Sequence, residues 1–482
     1  MTSAELDKWQ YSLTEQRQPG GIPLGKFWLR LGAGMGVFPL MDAEKRPVGM
    51  ILGFPIDLDA RRMLDGPWQA PGTWGADRDG FIHQTLWALG GRFLLIFTAD
   101  GDDLRLYPDC TAQVPCVWDA TARIAASTAH AFLDEAEYEA RLDRPLLDKL
   151  GVEGEGWLPA GLTAHRGVTR LLPGHYLDLQ TFTAHRFWPK GPIPQTTDTD
   201  AVIDETVVLL QAQMEAVIHS TKRLGLGLTA GNETRVLLAC ARPYLDRIDT
   251  VTVVGQDRHT TDTVIARRIA RDFGIRHLEL PRREATPAQY QQFVRRGGHC
   301  NADSNAHFHT SVWPIADSHI FIGGIGGEVG RGFFWRPADQ ADTPVTADGL
   351  GGRFGLPQTP ELTEALDCWI TGLPPVDTFG ILDLAYLENR MGPWYAVQLC
   401  CDPTLLRIAP LFTFRGCELM LSLPPDWKRD SRLGREIIAK LWPELLRYPF
   451  NSLGLWRDAL VKLQKIVKNP TLLVKKLRKM RR

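Results

Sequence analysis

The chain has 482 residues, 44% hydrophobic and 23% charged, with a formal net charge of −1. That length exceeds one ordinary core, so two or three domains are expected. The composition excludes a disordered or fibrous chain, and the near-zero charge excludes a global field that would recruit nucleic acid. The charge is nonetheless segregated. From Arg457 to Arg482 ten basic residues stand against the single acid Asp458, so the remaining chain carries about −10. Eight cysteines show no C-x-x-C spacing, which reads as reduced thiols in a cytoplasmic protein. No run approaches the roughly 20 apolar residues of a spanning helix, and no basic-then-apolar leader opens the chain.

In chain order, residues from about 26 to 190 read as β-rich. Gly91-Arg-Phe-Leu-Leu-Ile-Phe, the turn Asp100-Gly-Asp-Asp and Leu104-Arg-Leu-Tyr predict a hairpin. A second hairpin is expected from Arg170-Leu-Leu-Pro-Gly-His-Tyr-Leu-Asp-Leu and Ala184-His-Arg-Phe-Trp. The Pro- and Thr-rich stretch 191–200 reads as a linker between a domain over 1–190 and a second over 201–455. Beyond it, apolar spacing predicts a helix over 201–220, then a strand at Leu224-Gly-Leu-Gly-Leu-Thr, a helix from Arg235 and a strand over 249–254. A helix over 260–273 and a strand at Arg276-His-Leu-Glu-Leu follow. Alternating strands and helices imply parallel βαβ units in a doubly wound sheet, and the C-terminal third reads as helical. Residues 456–482 read as a basic amphipathic tail, suited to an anionic membrane surface or nucleic acid, or equally to plain solvation.

The segment Leu226-Gly-Leu-Thr-Ala-Gly-Asn-Glu-Thr-Arg-Val is strand, small-residue turn, then helix. Such a turn aims backbone N–H groups at an anion, phosphate above all; equally, Thr229 or Thr234 could merely cap a helix. It is neither a Walker loop nor a G-x-G-x-x-G pattern. The segment resembles the pyrophosphate-binding loop S-G-G-x-D-S of the asparagine synthetase and N-type ATP-pyrophosphatase families. Thr229 and Thr234 stand for the serines, Ala230 and Gly231 for the glycines, Asn232 for the free position and Glu233 for the Asp. Downstream, Phe321-Ile-Gly-Gly-Ile-Gly-Gly-Glu-Val-Gly-Arg-Gly-Phe-Phe resembles that family's second, Gly-rich acidic motif, with Glu328 where the family has its metal-coordinating Asp. Alone, this run reads as a flexible loop.

In the first half, Gly90-Gly-Arg-Phe through Trp118, Leu171-Leu-Pro-Gly-His-Tyr and Phe187-Trp188 resemble a class II glutaminase domain. The resemblance implies an α/β fold: an N-terminal Ntn-type αββα sandwich, degenerate in its glutaminase chemistry, followed by a doubly wound parallel-sheet ATP-pyrophosphatase domain. Glutaminase activity is not expected, because that chemistry needs a Cys with its own free amine. The chain opens Met1-Thr2-Ser3, with some 25 residues before the first expected strand and no cysteine before Cys110.

The implied activity is ATP-dependent amide formation: carboxylate adenylation, pyrophosphate release, then attack by an amine. The implied cofactors are ATP and Mg²⁺. Leu228, Thr229, Gly231, Asn232, Thr234 and Arg235 are the expected phosphate-side residues, with Gly326 and Gly327 facing them. Val254 and Gly255 are expected near adenine, and Glu233 and Glu328 as metal ligands and catalytic residues. Three departures stand out: Ala230 for a glycine, Thr413 for an acid in Pro410-Leu-Phe-Thr, and no lysine in Pro449-Phe-Asn-Ser-Leu-Gly. A catalytically impaired nucleotide-binding or regulatory scaffold is the competing expectation. The expected partners are a small-molecule or peptide carboxylate and an amine, a homodimeric copy, and an anionic membrane at the tail, with no specific nucleic acid.

Overall fold

The computed structural model describes residues 6–452, apart from 101, 102, 153, 155, 301 and 302; the basic tail lies outside the described residues. The protein is a mixed α/β structure. Its first half is built on two sheets whose long strands are antiparallel. One runs in the order Thr169–Arg170, Val117–Asp119, Ile124–Ala126, Tyr11–Thr14, Phe27–Leu31, Ile22–Leu24. The other runs Thr183–Arg186, His175–Asp178, Asp103–Pro108, Leu89–Asp100, Pro47–Asp57, Val37–Met41, Trp68–Gln69, with Arg62–Met63 paired to Pro47–Asp57.

Strand alternation explains why the sheets stack. Along Leu89–Asp100, Leu94 and Ile96 enter the core shared with Tyr11, Leu13, Leu29 and Ala125 of the other sheet. Phe93, Leu95 and Phe97 point to the opposite face and pack with Phe81, Ile82 and Leu86. Those three belong to the helix Arg78–Trp87, capped by Asp77 accepting from Gly80 N. Both expected hairpins are present, with Leu94↔Pro108 and His175↔Arg186 among their registers.

Two expectations need correction. The first strand is Tyr11–Thr14, well before residue 26; its apolar–polar alternation runs over only four residues, and all four are buried. Arg78–Trp87 is helical within a stretch that reads as β-rich, because only part of its surface is apolar and its N-cap carries the signal.

The second half opens with the helix Thr199–Ile218, capped by Asp198. A five-stranded, wholly parallel sheet follows, in the order His277–Pro281, Ile248–Val254, Arg223–Gly227, His319–Ile322, Arg407–Ile408. Arg223–Gly227, the first strand of this sheet along the chain, is therefore central. Successive strands add to one side and then to the other, which opens a crevice where the carboxyl ends of Arg223–Gly227 and His319–Ile322 diverge. Helices from Ala347–Phe354 to Arg432–Leu441 complete this half.

The halves share buried polar ties. Arg186 holds Glu388 in a bidentate pair (2.6 and 2.8 Å), and Trp157 Nε1 donates to Asn389 O at 2.6 Å. All eight cysteines are free. Among the described residues, no helix is long and apolar enough to cross a membrane.

One buried pair makes a direct stability prediction. Lys428 and Asp383 meet at 2.6 Å, each side chain 3% exposed, and Trp335 Nε1 donates to the other Asp383 oxygen at 2.9 Å. Lys428→Met strands a buried carboxylate and is expected to cost about 3–5 kcal/mol in denaturant unfolding. The double variant Lys428→Met/Asp383→Leu should recover most of that loss.

Candidate functional site

The crevice is walled by two loops that follow adjacent parallel strands. The first, 228–231, leads into the helix Asn232–Cys240, whose N-cap is Gly231 in extended conformation with no side-chain cap. Ala230 carries no positive φ, so the departure from glycine there costs no backbone strain. The loop satisfies its own amides. Thr229 N donates to Thr234 Oγ1 (3.3 Å), Gly231 N to Thr229 Oγ1 (3.0 Å), and the two threonine hydroxyls are 3.0 Å apart. Ala230 N donates to Asp262 Oδ1 at 2.9 Å, a carboxylate standing where a ligand anion would be received.

The second loop, 323–328, lies directly on the start of that helix. A β-carbon on Gly324 would fall 2.7 Å from Thr234 N, and one on Gly327 would fall 2.8 Å from Glu233 Cγ. Gly326 holds φ +107, and its N–H donates to Glu328 Oε2 at 3.0 Å. Glycine at these positions is what lets the two loops touch.

Glu233 and Glu328 meet there. Arg331 Nη2 lies 2.9 Å from Glu233 Oε1 and 2.9 Å from Glu328 Oε1, so the carboxylate oxygens are separated by at most twice that distance. The hydrogen bond is aligned on Glu328 alone; Glu233 Oε1 is buried and receives charge but no aligned donor. Burial raises the Glu233 pKa, Arg331 opposes that, and Glu328 adds to it. Burial, with the Glu328 carboxylate adding to it, holds the Tyr386 phenol well above its usual range and keeps it protonated.

Among the described residues no third His, Cys, Asp or Glu joins the pair to complete a protein-only metal site. Two carboxylates with one orphaned oxygen suit a hard cation that takes its remaining ligands from water and phosphate.

Other expected residues sit differently. Arg235 is 0% exposed, and every guanidinium N–H group goes to backbone carbonyls. Nε donates to Gly231 O, Nη1 to Leu445 O and Tyr448 O, and Nη2 to Ala230 O and Pro449 O. It is a strap binding the loop to 445–449 and has no donor left for phosphate. Asn451 N completes the strap by donating to Ala230 O at 3.0 Å.

The Asn232 amide lies against Gly434, where a β-carbon would lie 2.1 Å from Nδ2. Leu228 is core, its amide and carbonyl tied to Val251 O and Thr252 Oγ1.

A cavity of about 590 Å³ opens along the carboxyl edge of the sheet, lined by Val253, Gly255, Asp262, Arg282, His309 and Arg407 among others. Of the two residues at this strand end, Val254 is buried and Val253 lines the cavity, as strand alternation requires. Asp262 links this cavity to the loop. Thr413 caps the helix Phe414–Leu421 through Gly416 N, a structural use of the place where an acid is expected. Sequence reading missed Arg331, Asp262 and Tyr386.

Two predictions follow from this geometry. Arg235→Met removes five hydrogen bonds to backbone carbonyls and is expected to cost roughly 3 kcal/mol, with faster amide exchange confined to 228–234 and 445–452. Glu233 has a folded pKa above its unfolded value, so its contribution to stability is fully present below pH 4.5 and is lost as pH rises through the folded value. Glu233→Gln should therefore gain stability relative to the parent between pH 4 and pH 8; a pH-independent difference in unfolding free energy would contradict this.

No family model and no curated protein matches the chain. Among solved structures it is similar to NMN synthetase from Francisella tularensis, with 12% identity and a TM-score of 0.21 over 40% of this chain and 93% of that one. It is also similar to the U34-tRNA thiolase NcsA from Methanococcus maripaludis, with 12% identity and a TM-score of 0.22 over 51% of this chain and 76% of that one. At TM-scores this low neither likeness bears on the chemistry of this chain.

Proposed function

We propose that the protein is an ATP-dependent ligase that activates a carboxylate as its acyl-adenylate and transfers the acyl group to an amine, without glutaminase activity. The observation that carries this reading is the meeting of Glu233 and Glu328 at the switch point of a parallel sheet, on loops too close-packed for side chains at Gly324 and Gly327. A helix N-terminus and paired carboxylates form the charge pattern that a polyphosphate and its cation require.

In this reading the substrate carboxylate oxygen attacks the α-phosphorus, the bond to the β-phosphate oxygen breaks, and pyrophosphate leaves. The amine nitrogen then attacks the acyl carbon, its C–O bond to AMP breaks, and the nitrogen sheds a proton. Thr229, Gly231 and Thr234 position the phosphates, with Asp262 giving up the Ala230 N–H to the incoming anion. Glu233 and Glu328 would hold Mg²⁺, which supplies charge neutralisation when bound. The 590 Å³ cavity is large enough for a nucleoside and a small carboxylate. The first-half cysteines Cys110 and Cys116 are buried, and burial raises both thiols, which supports the absence of a cysteine nucleophile there.

A second reading, nucleotide binding without catalysis, is favoured by one observation: the segment that reaches the loop contributes Asn451 and no lysine. Calorimetric titration with Mg·ATP, followed by pyrophosphate release over a panel of carboxylates and amines, separates the two. The ligase reading expects binding, pyrophosphate release with at least one pair, and a loss of about 100-fold in that release for Glu328→Gln. Binding with no release on any pair supports the second reading, and no binding removes both.

A further inference from the structure

The cation position of the site is already filled from within the chain. Arg331 Nη2 touches both carboxylates, yet one guanidinium against two carboxylates leaves a net charge of −1. Two buried polar atoms remain unmatched: Glu233 Oε1 lacks an aligned donor, and Arg331 Nε lacks an acceptor. The Arg331 side chain is one-third exposed and ends the short turn Val329–Arg331, followed by Gly332 at φ +58. It can therefore swing without disturbing the core. An anion placed beside the Thr229–Thr234 loop would offer the guanidinium a better partner, since bidentate phosphate contacts use the donors that the carboxylates leave idle.

We propose that Arg331 is a built-in competitor for the cation site: it neutralises Glu233 and Glu328 while the site is empty, and moves onto phosphate oxygens when a polyphosphate arrives. This rests on the polyphosphate-binding reading above. Arg331 is thus a positioning residue that makes divalent-cation affinity conditional on polyphosphate, a coupling of the usual 5–150-fold size.

Binding of Mn²⁺ alone, followed by electron paramagnetic resonance at pH 8 with and without ATP, tests the inference on the full chain. The parent should bind Mn²⁺ weakly alone and much more tightly with ATP. Arg331→Gln should bind Mn²⁺ alone about 10-fold more tightly and lose most of the coupling. Arg331→Lys, a point charge that cannot fork, should fall between the two. Unaltered thermal unfolding of both variants excludes misfolding as the cause.

If Mn²⁺ alone binds parent and Arg331→Gln equally while ATP still tightens both, the competitor is overturned and the ligase reading stands. Tighter Mn²⁺ in Arg331→Gln with no effect of ATP on either protein keeps the competition and overturns the polyphosphate reading. Absence of Mn²⁺ binding in every case overturns both.

Discussion

Two carboxylates from loops about a hundred residues apart share one guanidinium nitrogen, and the arrangement of the second half is organised around making that meeting possible. Each loop leaves the carboxyl end of a parallel strand, and the two strands are neighbours because the chain starts its sheet in the middle. The glycines at 324 and 327 then remove the side chains that would hold the loops apart. A β-carbon at 324 would press on the Thr234 backbone, and one at 327 on the Glu233 side chain itself.

The surrounding structure supports this contact without being part of it. Arg235 spends its charge on backbone carbonyls, an expensive use of a buried guanidinium whose pKa burial pulls down to about 10. The return is a rigid loop: the segment 445–451 comes from the far end of the described chain and is clamped against Ala230 and Gly231. The first half contributes a double-faced sheet, one face closed by the second sheet and the other continuous with the core of the second half.

Much of this was legible in the residues. Apolar runs ending in small-residue turns located the strands, and the two acidic loops were identified through their resemblance to the motifs of a known family, since alone each also reads as an ordinary loop. What escaped depended on long-range packing. Arg235 beside a phosphate-like loop reads as an anion binder, and only its burial reveals a strap. Val253 and Val254 are indistinguishable as residues, so facing was decided by register. Tyr11–Thr14 alternates apolar and polar residues over four positions only, too short a run to stand out, and its polar Ser12 and Thr14 are buried with the rest. Asp262 carries no local signal for its partner 32 positions earlier.

The central claim is that this crevice receives a polyphosphate with its cation. A crystal structure with Mg²⁺ and a non-hydrolysable ATP analogue tests it most directly. The account predicts phosphate oxygens against Thr229–Thr234, the ion between Glu233 and Glu328, and Arg331 turned from the carboxylates to the phosphates. A nucleotide bound elsewhere, with Arg331 still bridging the two acids, would contradict it.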